Sequence, residues 1–165
     1  MDVNVFEFYF NPGADKTKKL EIFSFEPQNK RQETKGNLYI VGMLENILPQ
    51  NATLLRRLSS TLRDAYYKHQ TKTKKAPAEE GLQAALRKAN QVLKAESKKG
   101  NVQWLGNLHL AIFVLVPSNK TSFRSYLARY GGMRIWVGRQ GKITDIGKGI
   151  RDPAETGDPE KPFGE

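Results

Sequence analysis

The apolar residues of this 165-residue chain are spaced in two different ways, and the spacing changes twice along the sequence. Near the start, and again after Gly100, apolar residues alternate with polar ones or form short continuous runs, as in β-strands. Between these regions they recur every three or four residues, as in helices that bury one face. The pattern therefore predicts strands, then two helices, then strands again.

Three segments before the helices have the pattern of strands. Residues 3–10 place phenylalanines at alternate positions and end in an Asn-Pro-Gly turn sequence, which predicts a hairpin. Residues 20–26 alternate in the same way and end before a proline, so they are the predicted hairpin partner. QNKRQETKG is predicted to be a polar loop. The residues after it, 37–44 or NLYIVGML, form a nearly continuous apolar run that is typical of a central strand in a buried sheet.

Two helices are predicted next, and we expect them to form an antiparallel pair. Asn51 is a candidate N-cap for the first, and Pro77 suits the first turn of the second. Lysines followed by Gly100 predict the end of the second helix. The apolar stripe of the first helix comprises Leu54, Leu55, Leu58, Leu62, Ala65 and Tyr66, and that of the second comprises Leu82, Leu86, Ala89 and Leu93.

The segment after Gly100 is predicted to be an antiparallel meander. WLGNLHLAIFVLV is a long apolar strand, and FRSYLARY alternates as a second strand after a turn. Gly131-Gly132 is interpreted as a tight hairpin turn, because consecutive glycines accept positive φ angles without steric cost. Two short strands are predicted on either side of Arg139-Gln140-Gly141.

Short connections between strands favour antiparallel sheets, with the helix pair laid across one face. Several strands are apolar on both sides, which predicts a second sheet over the opposite face. The predicted fold class is therefore α+β, an antiparallel β-sandwich with a packed helix pair. We assign residues 1–146 to this sandwich and residues 147–165, rich in Gly, Pro and charge, to a polar loop or tail.

The composition excludes several kinds of chemistry. The chain has no cysteine, which removes disulfides, zinc ribbons and thiolate catalysis, and it has only two histidines, His69 and His109. His109 alternates with leucines in a strand, and the simplest interpretation is a structural histidine bonded to a backbone carbonyl. The carboxylates are scattered, and Glu45 alone lies at the end of a buried strand. We expect no cofactor, no membrane association and a cytoplasmic location.

Positive charge is concentrated in one part of the chain. Lys and Arg number 27 against 17 Asp and Glu, a net charge of +10. A helix-helix loop rich in lysine suggests non-specific contact with a polyanion such as nucleic acid, with Tyr66 and Tyr67 beside it as possible stacking groups. A solvated loop without function is the alternative. The candidate contact residues are Lys68, Lys72, Lys74, Lys75, Lys98 and Lys99.

Four segments, in order, resemble the front half of the metal-dependent serine/threonine phosphatases of type 2C, the PPM family. GNLYIVGMLEN is similar to the family's strand that ends in Asp-Gly-x-Gly-Gly, and AALRKANQVL to its second long helix. LGNLHLAIFVL is similar to its Gly-Thr-Thr strand, and YLARYGGMRIWVGRQGKITDI to its Ala-Asn-Val-Gly-Asp-Ser-Arg hairpin. The resemblance covers roughly residues 20–146 and implies the family's sandwich fold.

This chain lacks most of the residues that carry catalysis in that family. Met43-Leu44 stands in place of the metal-binding Asp-Gly, and a thioether does not replace a carboxylate on a hard cation. FEPQNKRQE offers no clear counterpart to the family's Arg and Asn-Glu-Asp cluster, and the hairpin keeps only the first glycine, Gly131, and the arginine, Arg134. The later motifs would lie beyond Glu165. We therefore expect a fragment of a longer protein, or a homo-oligomer that buries the open face.

The resemblance and these departures imply a catalytically inactive phosphatase 2C-like scaffold that binds or regulates a protein partner. A basic module that associates with nucleic acid is the alternative, and an active metal-dependent phosphatase is a third hypothesis. The nucleic-acid hypothesis would be favoured if the basic side chains converge on one concave face together with Tyr66 and Tyr67.

Overall fold

The computed structural model describes residues 6, 16–70, 77–119 and 122–149. Apart from Phe6, the predicted strand over residues 3–10 lies outside these described residues, and so does the tail from residue 150 onward. The elements in chain order are β1 (Lys19–Phe25), α1 (Lys30–Glu33), β2 (Asn37–Leu44), α2 (Leu54–Lys68), α3 (Pro77–Lys98), β3 (Leu108–Pro117), β4 (Phe123–Tyr130), β5 (Trp136–Arg139) and β6 (Lys142–Asp145), followed by a 3₁₀ turn at Gly147–Gly149.

Strands β1 to β4 form one antiparallel sheet, and they follow one another in chain order. One row across this sheet joins Phe23, Ile40, Ile112 and Ala128. The even-numbered residues of β2 are fully buried. So are the residues of β3 in register with them, which are Leu108, Leu110, Ile112 and Val114, and the residues between these buried positions are half-buried. The prediction that residues 37–44 form a central strand is confirmed.

Helices α2 and α3 cover one face of the sheet as an antiparallel pair, as predicted. Near the end of α2 the Tyr66 ring contacts Gly81 in the first turns of α3, and Arg57 near the start of α2 bonds Glu96 near the end of α3. The Leu55 side chain packs against Gly42 of β2, where the absence of a side chain lets helix and sheet approach. The core comprises Leu38, Ile40, Leu44, Leu54, Leu55, Leu58, Leu62, Tyr66, Ala85, Ala89, Leu93, Trp104, Leu108, Leu110, Ile112 and Val114, with smaller contributions around them.

Two local predictions about the segments that flank β2 are wrong. Asn51 is not the N-cap of α2, because the helix starts at Leu54 and the Asn51 side chain accepts the Leu48 N–H inside the preceding turn. The segment between β1 and β2 is not only a loop, since it contains the four-residue helix α1. The Asn29 side chain caps this helix by accepting the Gln32 N–H at 3.1 Å.

The two-residue hairpin predicted at Gly131-Gly132 is also wrong. Strand β4 belongs to the four-stranded sheet, whereas β5 pairs with β6 in a separate two-stranded sheet. The Gly132 N–H donates to His109 Nδ1 at 2.7 Å instead of closing a hairpin, so the chain leaves β4 next to the start of β3. The turn predicted between β5 and β6 is confirmed, because Gln140 and Gly141 both have positive φ angles.

The α+β class is confirmed, with a four-stranded antiparallel sheet and packed helices. Among the described residues the second sheet consists only of the β5–β6 hairpin, so a full second layer is not seen there. Of the helices in the described part of the chain, none is both long enough and apolar enough to cross a bilayer.

Candidate functional site

The predicted basic contact residues that lie in the described part of the chain do not form one patch. Lys68 lies at the end of α2, where its ammonium pairs with Asp64 at 3.0 Å. Lys98 and Lys99 lie at the end of α3, and Lys99 approaches Glu96 at 3.4 Å. Since the helices are antiparallel, these two groups lie at opposite ends of the pair, about 20 Å apart for a 15-residue helix. The other three candidates, Lys72, Lys74 and Lys75, lie outside the described residues.

Tyr66 and Tyr67 are core residues and offer no stacking surface to a nucleic-acid base. Tyr66 is fully buried and Tyr67 is 8% exposed, and the two rings pack edge to face with centroids 4.9 Å apart. The Tyr67 hydroxyl lies 2.9 Å from the carbonyls of both Phe25 and Gly36. Burial raises the pKa of both phenols. The observation that favours a nucleic-acid module is therefore absent from the described residues.

A buried lysine that the sequence pattern does not predict holds the end of α2. Lys35 is 3% exposed, and its ammonium donates to the carbonyls of Tyr66 at 2.6 Å and His69 at 2.8 Å, with a longer contact to Tyr67. These carbonyls have no partner within the helix, so the ammonium acts as a C-terminal cap. Burial, followed by the nearby Arg31 charge, lowers the pKa of Lys35. No local signal distinguishes this lysine from its exposed neighbours.

A second polar cluster fastens the other end of the helix pair. The Glu96 carboxylate is 6% exposed and accepts from Arg57 at 2.9 Å and from Asn101 at 2.9 Å. The Arg57 bond is the main reason that the pKa of Glu96 falls to about 2, with Asn101 second. The sequence itself carries a signal for this cluster. Glu96 lies three residues after Leu93 and so continues the apolar stripe of α3.

The position that resembles the family's metal-binding strand end carries no ligand cluster. Leu44 is fully buried under the helices, and Met43 lies on the opposite face, in register with His109. Glu45 pairs with Lys18 at 3.0 Å, as expected for a solvated strand-end charge. Within the described residues no three side chains among His, Asp and Glu are close enough to hold a metal ion.

His109 has a structural role, although its partner differs from the one predicted. It faces away from Leu108 and Leu110, which point into the core, and its Nδ1 accepts the Gly132 N–H instead of meeting a carbonyl. This bond requires Nδ1 to be unprotonated. Gly131 has a φ of +69°, and a Cβ built there would lie 2.5 Å from His109 Nδ1. The contact therefore fixes how the chain leaves β4.

A groove with a volume of about 760 Å³ lies between the end of β1, α1 and the second half of α2. Its charged side chains neutralise one another. Arg63 and Lys68 both pair with Asp64, at 2.8 and 3.0 Å, and both bonds lower the pKa of Asp64. The Arg63 guanidinium also lies over the Phe25 ring at 5.4 Å. We find no arrangement of acid, base and nucleophile in this groove.

A smaller apolar pocket lies on the side of the four-stranded sheet opposite the helices, which we call the outer face. This outer-face pocket has a volume of about 260 Å³. Its floor is Tyr39, Val41, Ala111, Phe113 and Leu127, from β2, β3 and β4, and its wall is the segment 133–136. The floor residues are in register, with Phe113 between Tyr39 and Leu127. A concave apolar surface of this kind suits a side chain or a small apolar group.

Three hydrogen bonds hold the wall of the pocket in place. At its start the Gly132 N–H bonds His109, and Arg129 of β4 donates to the Met133 carbonyl at 3.3 Å. Near its end the Ile146 N–H donates to the Ile135 carbonyl at 3.0 Å. The pocket is therefore built from both sides and does not depend on a single contact.

The β5–β6 hairpin that follows the wall exposes large apolar side chains. Trp136 is 54% exposed, Val137 42% and Ile143 71%. Exposed apolar groups beside an apolar pocket are typical of a binding surface.

Comparisons with protein families, with characterised proteins and with solved structures gave no match for this chain.

Proposed function

We propose that the chain is a catalytically inactive phosphatase 2C-like scaffold that serves as a protein-binding or regulatory module. The observation that carries this proposal is the end of β2. Where the resembled family places a metal-binding Asp-Gly, the chain has Met43 on the outer face and Leu44 in the core. Neither side chain is a ligand for magnesium or manganese, which bind carboxylate oxygens.

The order of elements supports the scaffold part of the proposal. A helix pair is inserted between the two central strands of an antiparallel sheet, and an exposed hairpin follows the fourth strand. This order is compatible with a phosphatase 2C-like scaffold. The proposed scaffold is the layered antiparallel sandwich of that family, of which the β5–β6 hairpin would belong to the second sheet.

The outer face supports the binding part of the proposal. It combines the outer-face pocket with the exposed apolar residues of β5 and β6, and it lies on the opposite side of the sheet from the helix pair. In contrast, the polar groups of Lys35 and Glu96 form hydrogen bonds that hold the ends of the helices in place. A surface with apolar anchors and no reactive group suits recognition better than catalysis.

Phosphatase assays test the inactive part of this proposal. We expect the purified chain to hydrolyse neither p-nitrophenyl phosphate nor a phosphothreonine peptide when Mn²⁺ or Mg²⁺ is added. We also expect neither cation to raise the melting temperature. The matched variants are Glu45→Ala, at the strand end, and Glu33→Ala, on the exposed surface of α1. Turnover that requires Mn²⁺ and is lost in Glu45→Ala alone would overturn the proposal.

A further inference from the structure

Resting on the proposed binding role, we infer that the outer-face pocket and the β5–β6 hairpin bind an acidic peptide segment, with an aromatic or large aliphatic side chain in the pocket. Two independent properties lead to this partner. The pocket selects for one apolar side chain, and the positive charge of its wall and of the hairpin that follows selects for carboxylates near that side chain.

The dimensions of the pocket fit one large side chain. Its volume of about 260 Å³ exceeds the roughly 150 Å³ of an apolar cavity that binds benzene. The Tyr39 and Phe113 rings, with centroids 6.4 Å apart, form part of the floor, and Trp136 stands at the rim. Aromatic groups lining a pocket favour an aromatic guest, because rings pack edge to face or offset. The exposed part of Trp136 then covers the guest from the side.

The segment that forms the wall of the pocket and the β5–β6 hairpin carries mostly positive charge, and Arg134 of this segment lines the pocket itself. Residues 131–149 contain four cations and one anion, which gives this segment a net charge of +3. Asp145 is the anion, and its Oδ1 already accepts the N–H groups of Gly147 at 3.0 Å and Lys148 at 3.2 Å. Acidic residues in a partner would therefore meet a complementary field that steers association. The four cations are Arg134, Arg139, Lys142 and Lys148.

Other occupants of this surface fit it less well. In a symmetric dimer through the outer face, each cationic segment would meet its own copy, and like charges at an interface are costly. An anionic membrane would suit the exposed Trp136, Val137 and Ile143, but a flat lipid surface leaves a concave pocket unfilled. Single-stranded nucleic acid would find one exposed indole and no series of aromatic rings.

A peptide-display experiment tests the inference. A library of random decapeptides is selected against the purified chain, and enriched peptides are synthesised and titrated by fluorescence anisotropy. We expect enriched sequences with one Phe, Trp, Tyr or Leu flanked by Asp or Glu. Replacing the anchor by Ala should weaken binding at least about tenfold, as for a buried interface anchor. Affinity should also fall as salt concentration rises.

Variants of the chain locate the binding site. Ala111→Leu adds a side chain to the floor of the pocket, and we expect it to weaken binding at least about tenfold. Arg139→Glu should weaken binding through charge, and Arg87→Glu on the exposed face of α3 changes the net charge equally but should leave the affinity within about twofold. Melting temperatures check that each variant folds. Should Ala111→Leu fail to fold, Trp136→Ser removes the half-exposed rim residue instead.

Several outcomes would refute the inference. The selection could enrich no peptides, or only peptides without acidic residues. The pocket variant could fold and yet bind the peptides with unchanged affinity. Light scattering could also show that the parent chain is a dimer and that Ile143→Lys dissociates it. Binding to phosphatidylserine vesicles that Ala111→Leu leaves intact would instead indicate a lipid surface. Manganese-dependent turnover would refute the proposed function but not the peptide site, so the two failures are distinguishable.

Discussion

Lys35 and Tyr66 bond each other's main chains in a reciprocal arrangement. The Lys35 ammonium donates to the Tyr66 carbonyl at 2.6 Å, and the Tyr66 hydroxyl donates to the Lys35 carbonyl. The same ammonium lies 5.7 Å from the centre of the Tyr66 ring. This pair joins the end of α2 to the residues just before β2, which are 31 positions apart in sequence. It fixes how the helix pair is placed on the sheet.

Replacing Lys35 by Met should therefore destabilise the chain. Methionine keeps most of the apolar stem, but it leaves the carbonyls at the end of α2 without their buried donor. We expect a loss of about 3 kcal/mol in the free energy of unfolding, measured by urea denaturation. Lys30→Met, on the exposed surface of α1, is the control and should change stability by less than about 0.5 kcal/mol. Equal effects of the two substitutions would mean that the Lys35 bonds contribute little.

Glu96 should make the stability of the helix pair dependent on pH. The pKa of Glu96 is about 2 in the folded state, against an ordinary value of 4.5. Its contribution to the free energy of unfolding is therefore complete above about pH 4.5 and is lost as the pH falls through 2. At neutral pH we expect Glu96→Gln to lower the free energy of unfolding by about 2 kcal/mol. The difference between parent and variant should shrink as the pH falls below 4.5.

Urea unfolding across this pH range provides the measurement for Glu96. Glu33→Gln on the exposed surface of α1 is the control, and it should follow the parent at every pH. A difference between the parent and Glu96→Gln that stays constant from neutral pH down to pH 2 would contradict the assigned role. The Arg57 and Asn101 bonds would then not depend on the carboxylate charge.

Two glycines with similar backbone angles should respond differently to substitution. Gly131 has a φ of +69° and Gly141 a φ of +77°, so alanine is strained at both. A Cβ at residue 131 would also lie 2.7 Å from the Leu108 carbonyl oxygen, whereas nothing lies within 4 Å of one at residue 141. We expect thermal or urea unfolding to give a loss of about 1 kcal/mol for Gly141→Ala and about 3 kcal/mol for Gly131→Ala. Similar losses in the free energy of unfolding for the two variants would show that His109 and its surroundings move aside for the added methyl group at little cost.

Polyanion binding by the helix pair should come from its two ends independently. Lys68 is far from the Lys98-Lys99 pair, so the two sites should act independently. The loss of binding free energy in Lys68→Gln and that in the double variant Lys98→Gln, Lys99→Gln should therefore add within about 0.5 kcal/mol. Heparin titrations at several salt concentrations measure this sum, because each lost contact should reduce the salt dependence. A triple variant that loses much more or much less than the sum would indicate one shared site.

The local periodicity was sufficient to predict most elements of the fold. Residues 37–44 and FRSYLARY form strands with the predicted bounds, and Pro77 starts a helix, because these signals depend on near neighbours in the chain. The site was harder to predict. Trp136 and Ile143 were recognised only as parts of short strands, since their exposure depends on β5 and β6 lying outside the four-stranded sheet.

The sequence by itself determined where most of the described strands and helices form, which faces of the two long helices are apolar, and that no cysteine chemistry is available. Only the tertiary structure decided which polar groups are buried and which apolar groups stay exposed. Lys35 and Lys30 look alike in sequence, yet one ammonium meets carbonyls more than thirty residues away and the other points to solvent. Tyr66 and Tyr67 look like stacking groups beside a basic loop until the antiparallel pairing places them in the core. Hydrogen bonding and burial depend on contacts between distant segments, and the spacing of residues along the chain does not encode those contacts locally.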